Sequence, residues 1–489
     1  MAQYSYILFL LLLMSGCNNE SDVKKPLPSG SKGYIEISRE NPSCFQFSDG
    51  SPYIPVGINM INPSGRYHAK PDSAMIEIER WMKELSANGG NYIRVWLSES
   101  FWDIEDKETG KYSEDKIRRI DHFIEMARKN NLRIKITLEH FRSLTLEENN
   151  QSWATKFVYH TSHGGPLDSI RQYLTSAEGH KLFLDKVDFY QKRYGSDTLF
   201  FGWELWNEMN AMHGPQDSIF FDWNVKMLKE VKGRFPENLV MQSLGSFDDE
   251  AVRPLYSKMM LLPGNEVAQI HRYLDLGADM EICHSPMDII CSSAVTELLS
   301  YKTGKPVMLA ETGAVEPSHA GPSRYYPVDT SGILLHDILF APFFSGSAGT
   351  GMCWHWESYV DKNNLWYHFG RFKEAIKGIN PVNENFSTSI SESGNLRIYQ
   401  LKGKKVILLW LRDMHNTWQS ELRDGQQPLT ITGAKLDLKS YGTGGSFKNI
   451  TVYDPWQNKW KNALYDGSEI SLPDFKRSLV IRIDTEELF

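Results

Sequence analysis

Cysteine is scarce in this chain, and blocks of basic residues are absent. Five cysteines occur among 489 residues. None forms a Cys-x-x-Cys pair or stands with histidine at zinc-site spacing, so we expect no metal. The formal net charge is −8. Without a basic stretch, this charge argues against nucleic acid as a partner and fits a neutral ligand.

The N-terminal apolar run, residues 7–14, is too short to span a membrane but has the size of a signal-peptide core. It leads into Leu13-Met14-Ser15-Gly16-Cys17, which resembles a bacterial lipobox. The resemblance implies that Cys17 is lipidated and becomes the mature N-terminus. The alternative is an ordinary buried cysteine after an apolar start.

Residues 18–32 are rich in Asn, Ser, Pro, Gly and charge, which predicts a flexible tether. Its acidic residues Glu20 and Asp22 resemble the surface-export signal of some Gram-negative proteins. We therefore predict a signal peptide with lipobox at 1–17, a tether at 18–32 and a lipid anchor in the outer membrane. The anchored protein would lie on the cell surface or face the periplasm.

Four cysteines remain after Cys17, namely Cys44, Cys283, Cys291 and Cys353. Cys283 and Cys291 are close enough in sequence to form a disulfide in an oxidising compartment. Buried free thiols are an equally acceptable interpretation.

Apolar runs of strand length alternate with amphipathic helical stretches between residues 33 and 381, as in parallel β/α units. Helices are predicted at 73–87, 176–194 and 217–235. The eight predicted strands are 53–59, 92–97, 132–139, 199–206, 239–244, 267–273, 306–310 and 351–356. Eight such units predict a (β/α)8 TIM barrel.

After Pro381 the helical pattern disappears, and short alternating strands follow between turn residues. They are predicted at 396–400, 405–411, 450–453 and 478–483. Residues 382–489 are therefore predicted to form a small all-β sandwich. Its four tryptophans serve either as a sugar-binding platform or, as we favour, in packing; they are Trp410, Trp418, Trp456 and Trp460.

Two predicted strands end in a carboxylate. Phe200 to Trp206 is followed by Asn207-Glu208, and the run from Pro306 to Ala310 is followed by Glu311. Loops run over the solvent-exposed surface, so a single Glu at the end of a strand is already explained by its contact with water. Two carboxylates at the carboxyl ends of barrel strands are what glycoside hydrolysis needs, because one donates a proton and the other attacks or activates water.

Other polar and aromatic residues stand at the same ends of the predicted strands. They are Asn59, Arg94, Glu139, His140, Asn207, His271, Tyr273, Trp354 and Trp356. This set, with Trp206-Asn207-Glu208 as its most specific part, resembles clan A of the glycoside hydrolases. The closest match is family 5 of the β-mannanase and cellulase type.

The resemblance implies a retaining double displacement in which Glu208 is the acid/base and Glu311 the nucleophile. Asn207 would hold the sugar 2-hydroxyl, and Arg94 and Tyr273 would bind the nucleophile. His271 would line the same wall, and Trp354 would form the floor of the subsite. Asn59 and His140 are further matches to substrate-binding positions.

The roles also follow from physical chemistry. A carboxylic acid next to Trp206 and a second carboxylate has a raised pKa, whereas a guanidinium such as Arg94 keeps a nucleophile ionised. Glu204 shares one strand face with Glu208, so periodicity alone does not exclude it as the acid. We expect Glu204 to be a buried partner of Arg94 or His140, and Glu139 to act similarly. Trp354 and Trp356 also share a strand face, so either side chain is a candidate for the substrate contact.

A long loop, 141–175, follows the third predicted strand and carries several aromatic residues. Trp153 or Tyr159 would build a sugar subsite, or the loop would have a small core of its own.

The sequence thus predicts a lipid-anchored retaining β-glycoside hydrolase that needs no cofactor. Its partners are a polysaccharide or oligosaccharide, β-mannan in preference to β-glucan, and the membrane. A β-glucanase or an exo-β-glycosidase of the same clan is the nearest alternative. A non-catalytic glycan-binding lipoprotein is the rival from another class. An acyl hydrolase is not supported, since no Gly-x-Ser-x-Gly motif occurs.

The lipobox generates one prediction. Cys17→Ser removes the thiol that would be lipidated, so the protein should be released from the membrane fraction or remain unprocessed. Membrane fractionation with palmitate labelling measures this. A Cys17→Ser protein that still partitions with membranes and incorporates palmitate would contradict the lipobox interpretation.

Overall fold

The structure is a computed structural model. It describes residues 32–61, 63, 70–140, 142–143, 155–212, 217–319, 321–437, 441, 447–466 and 468–485. Cys17, the signal peptide, residues 18–31 of the tether and Trp153 lie outside the described residues. Within the described part of the chain, no helix combines the length and apolarity needed to cross a bilayer.

The strands and helices in chain order define the elements used below. The strands are β1 (Ile35–Ile37), β2 (Phe45–Phe47), β3 (Pro52–Tyr53), β4 (Gly57–Asn59), β5 (Tyr92–Trp96), β6 (Arg133–Glu139), β7 (Arg142–Ser143), β8 (Thr155–Lys156), β9 (Phe200–Trp206), β10 (Leu239–Met241), β11 (Ala268–His271), β12 (Val307–Glu311), β13 (Ser387–Ser393), β14 (Leu396–Lys402), β15 (Val406–Asp413), β16 (Lys435–Asp437), β17 (Phe447–Asp454), β18 (Lys459–Asn462), β19 (Leu464–Tyr465), β20 (Glu469–Ser471) and β21 (Ser478–Thr485). The α-helices are Pro71–Ala87, Glu114–Lys129, Ile170–Thr175, Ala177–Tyr194, Asp217–Arg234, Arg253–Leu261, Met287–Ser300, Ile333–Phe344, Tyr367–Ala375 and Pro381–Glu384.

Parallel strands form the wall of the barrel. Five of them pair in the order β10-β9-β6-β5-β4, and β11 pairs with β12. The backbone N–H of Glu266 donates to Val240 O at 3.0 Å and links β10 to the segment that enters β11. These strands are buried along their whole length or nearly so, as expected when helices cover the outside of a parallel sheet. The predicted (β/α)8 barrel is confirmed.

The eighth segment closes the ring without forming a strand. Cys353 makes isolated parallel bridges to Ile58 on one side and to Thr312 on the other. The prediction of a strand at 351–356 was wrong, because a π-helix, Trp356–Asp361, begins three residues after this bridge. The ring nevertheless closes, since the N–H of Thr312 donates to Met352 O at 3.1 Å and that of Asn59 to Cys353 O at 3.1 Å.

The first predicted strand, 53–59, is divided in two. Tyr53 ends β3, which pairs antiparallel with β2 in a small sheet before the barrel, and β4 begins at Gly57. Pro55 between them has no N–H to donate to a ladder. Gly57 permits the close approach of β4 to β5, because a Cβ there would lie 1.8 Å from Tyr92 O.

The predicted helices 73–87, 176–194 and 217–235 are present with shifts of one or two residues at their ends. The helix Pro71–Ala87 ends before Gly89, whose φ of +82° suits glycine at a helix C-terminus. Ser176 caps the helix Ala177–Tyr194, since its Oγ accepts from the N–H of Gly179 at 3.0 Å.

The C-terminal part consists of antiparallel sheets. Six strands pair in the order β13-β14-β15-β21-β17-β18, and three pair as β16-β20-β19. Alternate side chains of β14 and β15 serve two different cores, as the period of two in a strand requires. Ile398 and Leu409 pack with Leu436 and Ile470 of the second sheet, which confirms the predicted β-sandwich.

The opposite face of β14 and β15 packs on the barrel. The ring of Trp410 lies 5.8 Å from that of Phe340 on the helix Ile333–Phe344. Trp418 is also buried, and its Nε1 donates to Ser285 O at 2.9 Å. The packing interpretation of these two tryptophans is therefore the one that the structure supports.

A buried ion pair crosses the same interface. Arg412 Nε donates to Asp337 Oδ1 at 2.9 Å, and Arg412 Nη2 donates to Oδ2 at 3.2 Å. Burial raises the pKa of Asp337 to about 7, although the guanidinium of Arg412 opposes this rise. Each partner therefore depends on the other for charge compensation.

Arg412→Met should lower the free energy of unfolding by about 3–5 kcal/mol, because Asp337 would remain buried without its partner. Urea denaturation followed by tryptophan fluorescence measures the loss. Arg423→Met, which removes an exposed pair with Asp424, is the control and should leave the midpoint unchanged. An unchanged midpoint for Arg412→Met would show that this ion pair does not hold the interface.

Candidate active site

Glu208 stands where β9 leaves the barrel wall. The N–H of Asn207 donates to Glu139 O at 2.8 Å and continues the pairing of β9 with β6 beyond the last strand residue. Glu208 then adopts a left-handed backbone with φ of 48° and is followed by the 3-10 turn Met209–Ala211. A non-glycine residue in this conformation is uncommon and is found at functional sites.

Glu311 is the last residue of β12 and is 2% exposed. The chain leaves the wall through Gly313, where φ is +153° and a Cβ would lie 2.7 Å from Tyr326 Oη. A side chain at this position would therefore displace Tyr326, whose Oη accepts from the N–H of Ala314 at 2.6 Å.

The two carboxylates meet across the barrel mouth with His271 between them. One ligand atom from each of Glu208, His271 and Glu311 lies within 4.8 Å of the others. His271 Nδ1 is 2.6 Å from Glu208 Oε1 and 3.5 Å from Glu311 Oε2. The nearest oxygens of the two carboxyl groups are therefore at most 4.8 Å apart. For comparison, the two carboxyl groups of retaining glycosidases are about 5–5.5 Å apart, whereas inverting enzymes have a wider gap.

The surroundings of the two carboxylates differ. Burial raises the pKa of Glu208 well above its usual range, and the nearby charge of Glu311 adds to this rise. Burial also raises the pKa of Glu311, but there Arg94 and the hydroxyl of Tyr273 act against it. When one proton is shared by the pair, it therefore resides on Glu208.

Arg94 lies at the centre of the site and is completely buried. Its Nη1 donates to Glu311 Oε1, its Nε to Glu204 Oε2 at 2.9 Å, and its Nη2 to Asn207 Oδ1 at 2.7 Å. Although burial favours the neutral form, Glu204 and Glu311 raise the pKa of Arg94 above its usual value. The predicted contact between Glu204 and Arg94 is confirmed.

A polar layer under the site was missed by the sequence reasoning. Lys135 Nζ lies 3.0 Å from Glu204 Oε1, and Thr137 Oγ1 donates to Glu204 Oε2 at 2.6 Å. Burial by itself would raise the pKa of Glu204, but the positive charges of Arg94 and Lys135 hold it well below its usual range. The signal was present in β6, where Lys135 and Thr137 alternate with three isoleucine or leucine residues.

His271 is buried and uncharged. Burial and the charge of Arg94 lower its pKa well below the usual value. A neutral imidazole places no positive charge beside Glu208 that would lower the pKa of this carboxyl group. Two buried nitrogens at the site have no hydrogen-bond partner among the described residues, namely His271 Nε2 and Asn207 Nδ2.

Tyr273 follows β11, and its Oη donates to Glu311 Oε2 at 2.8 Å. Its ring meets that of His319 edge-on at 5.4 Å between centroids. His319 Nδ1 is 2.7 Å from Asp275 Oδ2, which orients the imidazole beside the cleft.

Asn59 and His140 are completely buried. Asn59 Nδ2 donates to Ala310 O at 3.0 Å and to Met352 O at 2.9 Å, and its Oδ1 accepts from Arg94 at 3.3 Å. His140 Nδ1 is 2.5 Å from Ser98 Oγ. These contacts position neighbouring groups, and the predicted contacts of both residues with substrate stay predictions.

The structure distinguishes the two tryptophans of the eighth segment. Trp356 starts the π-helix and is buried, with its ring 5.8 Å from that of Trp81. Trp354 is half-buried, and its ring lies 5.1 Å from that of Trp96. Because the chain is not a strand here, the two side chains do not share a face, and Trp354 is the one that remains accessible.

The described part of the 141–175 loop has its own core. Tyr159 is completely buried, stacks on Tyr173 at 5.7 Å and donates to Glu105 Oε2. Tyr159 is therefore not an open subsite. Glu139, which was expected beside Arg94 or His140, lies 3.2 Å from Lys186 Nζ beneath this loop. Cys283 and Cys291 are buried free thiols and form no disulfide.

Comparisons with known proteins agree with this fold. The family model Cellulase (glycosyl hydrolase family 5) matches residues 57–329, more than half of the chain. A solved structure described as a glycoside hydrolase aligns over 93% of this chain and 97% of its own, with 13% identity and a TM-score of 0.58. A family 5 glycoside hydrolase from Bacteroides vulgatus aligns over 93% and 94%, with 12% identity and a TM-score of 0.58.

An endo-1,4-β-mannanase from Rhizomucor miehei aligns over 70% of this chain and 100% of its own, with 17% identity and a TM-score of 0.49. No curated protein matches the chain significantly. The family match over the barrel, with Glu208 and Glu311 at its mouth, establishes that the chain belongs to glycosyl hydrolase family 5 and is an O-glycosyl hydrolase.

Proposed function

We propose that this protein is a retaining β-glycoside hydrolase that works by double displacement. The observation that carries the proposal is the unequal carboxylate pair. Glu208 and Glu311 present oxygens within 4.8 Å of each other. Of these two carboxylates, Glu311 is the one that Arg94 binds directly. One group is therefore suited to hold a proton and the other to attack.

In the first step, a carboxylate oxygen of Glu311 attacks the anomeric carbon and forms a glycosyl ester. The glycosidic bond breaks, and its electron pair goes to the leaving oxygen, which takes the proton of Glu208. Arg94 and Tyr273 fix the attacking carboxylate by their hydrogen bonds. His271, held neutral, keeps its contact with Glu208.

In the second step, Glu208 is ionised and acts as the base. It removes a proton from water, the water oxygen bonds to the anomeric carbon, and the ester bond to Glu311 breaks. Two inversions at the same carbon give net retention. The enzyme then returns to its starting state with the proton on Glu208.

Substrate contacts follow from the groups left unsatisfied at the site. Asn207 uses its Oδ1 for Arg94, so its Nδ2 remains as a donor for the sugar 2-hydroxyl. The half-buried ring of Trp354 forms the floor of the subsite, since sugar C–H groups pack on aromatic faces.

We further propose β-mannan as the substrate, following the resemblance of the sequence to β-mannanases of the family. A lipid anchor at Cys17 would place the enzyme on the outer membrane. The protein would then meet its polysaccharide at the cell surface or in the periplasm.

Azide rescue tests the two carboxylate roles. Glu208→Ala should lose at least about 10²-fold activity on polysaccharide. The rate of the first step on an activated aryl glycoside should fall less, because the aryl group departs without a proton. Azide should rescue this variant and give the β-glycosyl azide. For Glu311→Gly, azide enters from the vacated face and should give the α-azide. NMR of the products measures both.

Glu316→Gly is the matched control, since Glu316 is an exposed residue five positions after the nucleophile. It should keep wild-type activity. An α-azide from Glu208→Ala, or wild-type activity in either site variant, would reverse or remove the assigned roles. A complete lack of hydrolysis by the wild type would favour the glycan-binding rival.

A substrate panel tests the sugar preference. We expect the full-length protein to release reducing ends from β-1,4-mannan at least about ten-fold faster than from β-glucan, the scale of discrimination that a few pocket contacts give. Chromatography of the products distinguishes endo from exo cleavage. Equal or faster hydrolysis of β-glucan would contradict the mannan assignment and leave the hydrolase assignment unaffected.

A further inference from the structure

A second groove lies at the end of the barrel opposite to the carboxylates. Its volume is about 770 Å³. Its lining includes Asn91, Arg133 and Leu199, which stand at the starts of β5, β6 and β9, whereas Glu208 and Glu311 stand at strand ends. Parallel strands run in one direction through a barrel, so the groove and the active site open on opposite faces.

The groove is strongly cationic in a protein whose net charge is −8. Its lining contains no carboxylate and five basic side chains, namely Lys32, Arg128, Arg133, Lys373 and Lys377. Two of the five are neutralised nearby, because Arg128 Nη2 lies 2.5 Å from Asp197 Oδ2 and Lys377 Nζ lies 3.4 Å from Glu374. Three remain without an ion pair among the described residues.

Two of these three cations share one aromatic ring. The guanidinium of Arg133 and the ammonium of Lys32 lie 4.9 Å and 5.2 Å from the ring centroid of Phe47. Arg133 also donates through Nη1 to Thr198 O, which fixes its position. The pKa of Asp49 is lowered by hydrogen bonds from Ser51 and, to a smaller extent, by the charge of Lys32.

Lys373 completes the group from the helix Tyr367–Ala375. It is half-buried, and no hydrogen bond or ion pair of its ammonium is found within the described part of the chain. Burial and the positive charge of Lys32 lower its pKa. Burial likewise lowers the pKa of Arg133. An anion in the groove would relieve both costs.

The position of the chain indicates the source of this anion. Lys32 is the last residue of the predicted tether, so the tether enters the barrel at the groove itself. Treated as a flexible chain, the 15 residues 18–32 have a root-mean-square span of roughly 20 Å. A lipid at Cys17 would therefore keep this face within reach of the membrane surface.

We propose that the groove formed by Lys32, Arg133 and Lys373 binds the phosphate of an anionic lipid headgroup. This contact orients the barrel on the membrane with its catalytic mouth pointing away from the surface. The inference goes beyond the hydrolase function. It depends on the lipid anchor only for proximity, and the vesicle experiment below uses protein without the lipid.

Vesicle co-sedimentation tests the proposal with the full chain carrying Cys17→Ser. This parent should bind vesicles containing phosphatidylglycerol more tightly than vesicles of phosphatidylcholine alone. Lys32→Glu combined with Lys373→Glu should weaken binding to the anionic vesicles by at least about 20-fold, since each cation near such a surface contributes roughly a five-fold factor. Hydrolysis of an aryl glycoside should stay unchanged, because neither lysine belongs to the site.

Lys107→Glu combined with Lys111→Glu is the matched control. These exposed lysines follow β5 on the catalytic face and give the same change in net charge. They should leave vesicle binding within about two-fold of the parent. Equal losses in both double variants would mean that net charge alone drives binding, and an unchanged groove variant would mean that the groove takes no lipid. Either result overturns the proposal.

Inorganic phosphate distinguishes the two sources of the anion. Its effect on the melting temperature is compared with that of chloride at matched ionic strength. If phosphate stabilises the parent but not the groove variant while anionic vesicles fail to bind, the groove is a site for a free anion and the lipid assignment is wrong. The protein in this experiment carries no lipid, so its result tests lipid binding by the groove alone. The lipid anchor is tested separately, by membrane fractionation of Cys17→Ser.

Discussion

The pairing of Arg94 with two carboxylates is the interaction on which the rest of the site depends. A buried guanidinium needs compensation, and Glu204 and Glu311 supply it from β9 and β12. The same contact keeps Glu311 available as an anion and leaves Glu208 as the holder of the proton. Lys135 and Thr137 complete the charge balance of Glu204 from below. Catalytic asymmetry thus arises from charge balance inside the barrel.

The direction of the barrel strands gives the molecule two chemically different ends. Carboxylates, neutral His271 and accessible Trp354 gather where the strands end. Cations without an ion pair among the described residues gather where the strands begin. The sandwich covers the side of the barrel and is held there by Trp410 and the ion pair of Arg412 with Asp337. The carboxylate pair and the cationic groove therefore open on opposite faces of the barrel.

Much of the fold followed from local pattern. Seven of the eight predicted barrel segments contain a strand, because buried parallel strands are continuous apolar runs that a sequence displays directly. The eighth segment was wrong as a strand, since its single bridge at Cys353 depends on both neighbours, Ile58 and Thr312. The first predicted segment is divided at Pro55. This local signal was overlooked in the prediction because Pro55 lies within an apolar run.

For the site, the sequence by itself determined that Glu208, Glu311, Arg94, Asn207, His271 and Tyr273 meet at one mouth. Parallel strand ends in a barrel converge whatever the details of packing, so position along the chain was sufficient. Only the tertiary structure supplied the burial and the distance to Arg94 that set the two carboxylates apart in pKa. It also decided that Trp354 is accessible and Trp356 is core, and that Lys135 lies beside Glu204. Distances between separate strands are set by ring closure, which no local pattern encodes.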